Sequence, residues 1–574
     1  MHSVVRYWSY PRLVLLLLLL ALAALGAGLG LRDPSPPDEP RFALAARQMV
    51  ESGSWLVPHR GNEIYPDKPP MFMWTIAAGY ALTGDLRVAF LLPSLLAALG
   101  TLWLTVDLAR RLWNPRVAVW AGFALLGCLQ FGLQAKRAQI DMLLVFMTTL
   151  SLWGLLRHLL RGPDWPAFCL GAFAAGLGTV TKGVGFLPLL ALLPWAATRR
   201  FAPRATTTAA GGWCWAGFAL AFVAGAGVWL VPMLVAVATS SDPAMQAYAD
   251  NILFKQTGER YANAWHHVQP AWYYLEVIFT LWLPGALLLP WLLPAWWRRL
   301  KRRDARLVVL LGWSLLTLLF FTASPGKREV YIFPVLPALC VAAAPLLPGL
   351  LRRRGVHWIL AAFIVLLSLL FAAAGASGLA DARWAVEKAT ERGMSLDSMH
   401  RLMAWLLGLG VAGLVLLATL RLRRIGAAVV SFIALLWTVY GVGLAPAVDA
   451  SSSARRLMRE AGAHIGPDAE LALIGWREQH LLQADRPTRT FGFRRDWQDQ
   501  WTDATPWLAQ APQRRWLFVL DEALSPCADA TQVVAIGESN RRRWLLVPGT
   551  AMRQGCVTPA LADEIDDEEG AEDE

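Results

Sequence analysis

Residues 38–53 read Asp38-Glu39-Pro40-Arg41-Phe42-Ala43-Leu44-Ala45-Ala46-Arg47-Gln48-Met49-Val50-Glu51-Ser52-Gly53. Further on, the chain reads Tyr65-Pro66-Asp67-Lys68-Pro69-Pro70-Met71-Phe72-Met73-Trp74. Ser35-Pro36-Pro37 cannot continue a helix into this stretch, and Phe42, Ala45, Ala46, Met49 and Val50 recur at helical spacing along one face. The pattern predicts an amphipathic helix with Asp38 as its N-cap candidate and Gly53 as its stop. An apolar block ends near Leu31 and another begins near Val88. A helix apolar on one side and tethered between two such blocks is expected to lie in a membrane interface, with Asp38 and Lys68 held at the bilayer surface.

Working outward, the rest of the chain is membrane-like. Apolar residues make up 56% of 574, too many for a soluble chain of this size, and they come in blocks of bilayer-crossing length. Many tryptophans close these blocks, among them Trp113, Trp165, Trp195 and Trp297, as expected of interfacial belts. The net charge of +11 comes from short basic clusters between blocks, which is a topology signal and excludes a nucleic-acid surface. Arg6 and Arg12 with the small residues Ala21 to Gly28 resemble a signal peptide, but Leu13 to Leu31 is long and unbroken and reads as an anchor.

The expected fold class is mostly α, polytopic, with about thirteen transmembrane helices. The blocks are 13–31, 88–109, 116–134, 141–160, 167–181, 183–198, 212–237, 271–297, 306–322, 330–350, 356–378, 402–421 and 425–446. Alternation from an inside N-terminus puts the clusters at Arg110/Arg111, Arg157/Arg161, Arg199/Arg200, Arg298–Arg306, Arg352–Arg354 and Arg421–Arg424 all inside. The outer connections are then 32–87, 135–140, the turn near Lys182, 238–270, 323–329 and 379–401. This organisation divides the chain into a membrane domain (1–446), a small external α/β domain (447–562) and an acidic tail (563–574). Leu471–Ile474, Trp516–Leu520 and Trp544–Val547 read as strands of the second domain. Cys527 and Cys556 share it and are candidates to pair if the compartment is oxidising; the other four cysteines lie within apolar blocks.

Charges at span ends are costly unless paired or wet, which makes them candidates for function. The outer connections and the span ends beside them hold Asp38, Glu39, Arg41, Asp67, Lys68, Asp141, Lys182, Arg260, His266, His267, Lys327 and Arg328, with Tyr331 next to them. Each has a local alternative: Asp38 as a cap, Lys68 snorkelling, Asp141 capping its helix and paired with Arg137, the histidines as ordinary loop residues. Independent caps need not all fall on one side, and the convergence favours a common outward cavity. Such a set suits transfer of a sugar from a polyprenyl phosphate. The leaving group is already a phosphate, so cations (Lys68, Arg260, Lys327, Arg328) hold its growing charge. A carboxylate such as Asp38 then takes the acceptor's proton or orients the acceptor.

Asp38-Glu39-Pro40-Arg41-Phe42, Gly53-Ser54-Trp55-Leu56-Val57-Pro58 and Asp67-Lys68-Pro69-Pro70 resemble the first external loop of the aminoarabinose–lipid A transferases. These are relatives of the protein O-mannosyltransferases with the glycosyltransferase C fold. Thr181-Lys182-Gly183, the segment from His267 to Tyr274, and Gly326-Lys327 with Tyr331 and Pro334 are similar too, in the family's order over residues 1–446. The resemblance implies that Asp38 is the catalytic or acceptor-orienting carboxylate, that Asp141 is a second acid near the donor, and that Lys68 contacts the lipid phosphate. It further implies an undecaprenyl-phosphate-type donor, an acceptor at the periplasmic face of a bacterial inner membrane, and a possible divalent metal on Asp67 with His266 or His267. Lipid A is the first choice of acceptor, with a protein hydroxyl or another envelope glycan as the alternative. A secondary transporter would place its charges near the bilayer midplane in two repeated halves, and no such halves are present.

Overall fold

The computed structural model describes residues 9–202, 212–254, 268–493, 495–540 and 542–561. Helices occupy every one of the thirteen apolar blocks. The expected count of about thirteen spans narrows, because seven helices among the described residues are long and apolar enough to cross a bilayer. Nine cross if two bent pairs each count as one, and Tyr10–Gly26, Leu187–Thr198 and Phe333–Ala343 are shorter. The molecule is a multi-span membrane protein.

The two bent pairs explain each other. Pro115–Leu126 and Leu129–Ala135 meet at 69°, and Tyr273–Leu281 and Gly285–Lys301 at 101°, the second break lying at Trp282-Leu283-Pro284 where proline supplies no N–H. A broken span exposes backbone groups that lipid cannot satisfy. Here the breaks dock together: Leu129 N–H donates to the Leu283 carbonyl (3.0 Å) and Trp282 Nε1 to Gln130 Oε1 (2.6 Å). Gln130 Nε2 in turn donates to the Glu329 carbonyl (2.9 Å), which fixes the outer turn that carries Lys327 and Arg328. A second contact sets the first span against the last. Gly28 and Gly441 approach so closely that a Cβ on Gly28 would sit 2.0 Å from the Gly441 carbonyl oxygen, so only glycine fits.

The amphipathic helix forms as Glu39–Ser52 and ends on Gly53 at φ +72°, as the sequence predicts. Protein covers the apolar face that the sequence assigns to the membrane interface. Glu39, Pro40, Phe42, Ala43, Leu44, Ala45, Ala46 and Met49 are all buried in the protein. Phe42 meets Phe72 of the helix Met71–Thr83 edge-to-face at 5.5 Å, and burying such a side chain is worth roughly 1.5–3 kcal/mol. On the other side Arg47 donates to the Leu482 carbonyl (2.9 Å), at the helix Glu478–Gln483 of the C-terminal domain. The helix is therefore a layer between the spans and that domain.

The first loop also holds a two-stranded ribbon, β1 (His59–Arg60) and β2 (Glu63–Ile64). The C-terminal domain carries a five-stranded sheet: β3 (Glu470–Ile474), β4 (Thr488–Thr490), β5 (Arg515–Leu520), β6 (Val534–Ser539) and β7 (Arg542–Pro548). The order is β4-β3-β5-β7-β6, parallel among the first three and antiparallel beyond. The three strands expected from sequence are β3, β5 and β7. Cys527 and Cys556 are disulfide-bonded, with Cα atoms 5.7 Å apart. The expected tail at 563–574 lies outside the described residues.

Candidate active site

Buried charge anchors the start of the first loop. Glu39 receives both nitrogens of Arg32 (2.5 and 2.7 Å) and the amides of Ser35 and Ala138 (3.0 Å each). Burial alone would raise its carboxyl, but the Arg32 charge, its hydrogen bonds and the two amides hold it below the ordinary carboxylate range. Glu39 is thus fully engaged, an anchor rather than a cavity group. Beside it Asp33 accepts from Arg455, pairs with Arg87 at 3.2 Å and donates its amide to Asp449 (2.9 Å), which ties loop, last span and C-terminal domain together.

With Glu39 fixed, Asp38 is aimed. Asp38 stands at the N-cap position, as expected, but its carboxylate makes no cap hydrogen bond. It accepts instead from Gln139 Nε2 at 3.0 Å and lies 3.8 Å from Arg41 and 4.0 Å from Arg328. Arg41 is shared, because its Nε donates to Glu478 of the C-terminal domain (3.0 Å). Glu478 also receives Arg60 at 3.0 Å, and burial, which would raise it, is outweighed by these two cations, so it stays a carboxylate below its usual range. Arg60 is clamped over Phe493 (3.5 Å) and Tyr65 (5.3 Å). Burial raises the Tyr65 phenol, whose charged neighbours are Arg41, Asp67, Arg60 and Asp38.

The second acid is one turn away. Asp141 opens the helix Ile140–Arg161 two residues after Gln139, so the Cα atoms of 139 and 141 lie within about 7 Å. Its expected alternatives, a cap and a pair with Arg137, give way to an ion pair with Lys182 at 2.6 Å. The Lys182 ammonium also sits 5.0 Å over the buried Tyr331 ring. Three residues separated widely in sequence thereby form one unit. Arg328 precedes it, since the Tyr331 amide donates to the Arg328 carbonyl (3.1 Å).

The remaining candidates divide. Lys327 is buried and its ammonium donates to the carbonyls of Gln269 (2.9 Å) and Pro325 (3.3 Å), which staples the turn that carries it. Asp67 and Lys68 are half-buried at the approach to Met71–Thr83, and both make polar or electrostatic contacts. Arg260, His266 and His267 lie outside the described residues. Among the described residues no three His, Cys, Asp or Glu side chains gather as a metal site; the histidines that the possible metal requires are not among them, so no step is routed through a metal. Sequence reasoning missed Gln139, Arg32, Asp33 and Glu478. A signal existed for the first of these, an amide two residues before Asp141 at the start of an apolar block.

Against this geometry the similarities are specific. The dolichyl-phosphate-mannose-protein mannosyltransferase family matches residues 67–231, and the Alg9-like mannosyltransferase family residues 260–386. An undecaprenyl phosphate-alpha-4-amino-4-deoxy-L-arabinose arabinosyl transferase of Pseudomonas fluorescens (strain Pf0-1) is 32% identical over 355 residues, 58% of this chain and 59% of that one. A protein of the same name in Pseudomonas aeruginosa (strain PAO1) is 34% identical over 316 residues, 53% of this chain and 54% of that one. The chain thus spans between half and two thirds of the length of these curated relatives. The crystal structure of ArnT from Cupriavidus metallidurans bound to undecaprenyl phosphate superposes with TM-score 0.70 at 21% identity, covering 93% of this chain and 97% of that one. The same protein in the apo state gives 0.65 at 20% identity, covering 94% and 98%. Over more than half its length the chain is thus similar in sequence to these arabinosyl transferases, and over nearly all of it it shares the fold of ArnT.

Proposed function

We propose that this protein is an inner-membrane glycosyltransferase that moves a sugar, aminoarabinose first among candidates, from an undecaprenyl-phosphate donor to a periplasm-facing acceptor, with lipid A as that acceptor. The observation that carries the reading is the aim of Asp38. A carboxylate at a helix start forgoes its cap, faces Gln139, Arg41 and Arg328, and stands beside the Asp141–Lys182–Tyr331 unit. The disulfide between Cys527 and Cys556 supports an oxidising compartment on that side.

In the reaction the bond between the sugar's anomeric carbon and the donor phosphate oxygen breaks, its electron pair stays on the phosphate, and the acceptor oxygen bonds to the anomeric carbon. Arg328 and Lys68 offset the charge that grows on the departing phosphate. Asp38 orients the acceptor oxygen and takes its proton where the acceptor is a hydroxyl; a phosphate acceptor is already ionised and needs only orientation. Lys182 holds Asp141 in place at the donor end.

Lipids and envelope proteins from cells with and without the gene, analysed by mass spectrometry, test the proposal. A gain of one aminopentose on lipid A supports it. Glycosylated envelope protein with unchanged lipid A redirects it to the acceptor class that the mannosyltransferase match over residues 67–231 favours. No change in either sinks the glycosyltransferase reading.

A further inference from the structure

At the end of the spans opposite Asp38 lies a cavity of about 420 Å³, within the size range of small-ligand sites. The helix Leu86–Leu112 measures the separation: Arg87 at one end pairs with Asp33, and Leu112 at the other, roughly 38 Å away at 1.5 Å per residue, leads into the cavity wall. The wall includes Trp113, Asn114, Arg299, Arg302, Asp304 and Arg306. Arg306 is rigid: it forks onto both Asp304 oxygens (2.9 and 3.0 Å), donates to the Leu112 carbonyl (3.0 Å) and lies 4.0 Å over the Trp113 ring. Asn114 is spent capping the next helix through the Val117 amide (3.0 Å).

Arg299 lies 5.8 Å over the Trp113 ring, on which Arg306 also stacks, and Arg302 is beside it in the wall. Among the described residues neither is within ion-pair distance of a carboxylate, and three guanidiniums therefore face one aspartate. A guanidinium is weakly hydrated and forks onto phosphate oxygens, so two of them beside a fixed indole and a fixed third arginine form a phosphate cradle. The cavity lies where three spans end: Trp113 follows Leu86–Leu112, Arg299 sits in the last turn of Leu289–Lys301, and Asp304 caps Ala305–Ala323, which places it at the level of the lipid head groups.

We propose that this cavity binds the phosphate of an anionic phospholipid head group. Its place at the ends of three spans favours a lipid over free phosphate, and basic pockets between span ends have the charge such head groups require.

The test uses the full chain, purified in mild detergent, loaded with phosphatidylglycerol or phosphatidylcholine and examined by native mass spectrometry, with and without millimolar inorganic phosphate. Wild type is expected to keep phosphatidylglycerol through delipidation, and Arg299→Gln/Arg302→Gln to lose retention roughly tenfold. Asp304→Asn still caps its helix and removes the one carboxylate, so it should keep the lipid at least as well, a readout that survives if the double variant misfolds. Equal retention in wild type and double variant, or phosphatidylcholine held as tightly, would overturn the site. Phosphate bound at the same arginines with no lipid retained would overturn the lipid as its occupant.

Discussion

Replacing Asp38 by Asn separates a structural carboxylate from a working one, and the geometry sets both magnitudes. The side chain does not cap its helix, so no cap is lost, and the Asn oxygen can still accept from Gln139. What disappears is charge opposite Arg41 at 3.8 Å and Arg328 at 4.0 Å. At an effective dielectric near 20 each such pair is worth roughly 4 kcal/mol before desolvation is subtracted. The partners are 14–18% exposed and Arg41 keeps Glu478, so the net stability loss is expected to be only about 1 kcal/mol. The rate behaves otherwise. Loss of a general base costs roughly two to four orders of magnitude, about 3–5 kcal/mol of barrier. Single-turnover transfer from a labelled undecaprenyl-phosphate sugar, beside thermal unfolding of the same preparation, reads both quantities. Asp38→Glu should also be slow, since one methylene moves the carboxylate by about 1 Å. With a phosphate acceptor the loss should persist at every pH instead of being relieved as pH rises. Wild-type turnover in Asp38→Asn, or a melting loss large enough to account for the missing activity, would refute the reasoning.

Four further outcomes follow from the same contacts. Lys182→Ala and Asp141→Asn should each cut transfer strongly, and the double variant should be less impaired than the two losses added, because each single change strands the other charge at a cost of roughly 3–5 kcal/mol; additive kinetic and unfolding losses would deny the coupling. Gly441→Ala puts a Cβ 2.0 Å from the Ala27 carbonyl oxygen and 2.6 Å from Lys136 Nζ, so folded protein should fall by an amount matching at least about 1–3 kcal/mol, measured by size-exclusion yield and melting. Burial drives the His480 imidazole down to about 3, against its ordinary 6.5, so the unfolded state binds the extra proton first as pH falls. That stability is complete above pH 6.5 and drains between 6.5 and 3, up to about 4–5 kcal/mol, and tryptophan fluorescence of His480→Phe should show a flatter acid limb. A periplasm-active reporter fused after Ala450 should be active and one after Arg204 silent; the reverse would invert the topology.

What the sequence made legible was whatever depends on local period and composition. Apolar blocks became helices, Gly53 ended its helix, the branched and aromatic runs became β3, β5 and β7, and two cysteines in one polar domain paired. The short β4 (Thr488–Thr490) and the bulged β6, broken at Gly537, carry too little pattern to be read. Candidate residues were legible as charges in outer connections, but their partners were not. The Asp141–Lys182 pair spans 41 positions, Asp38–Gln139 101 and Arg41–Glu478 437, and no periodicity encodes a contact across such distances. The side-chain contacts of Asp38 were therefore not legible locally, because Gln139 and Arg328 are remote in sequence. The covering of the 39–52 helix is the more instructive case. An amphipathic period says that one face avoids water; it does not say whether lipid or protein covers it. Ala43 and Leu44 fall off the Phe42–Ala45–Met49 stripe and are nonetheless apolar, and both are fully buried, because a second layer, the helix Glu478–Gln483, closes over that side. A helix lying on a bilayer keeps its far face polar, so apolar residues on both faces are the mark of one held between two protein layers. That position is also what brings Glu478 to Arg41 and gives the C-terminal domain a hand in how Asp38 is held.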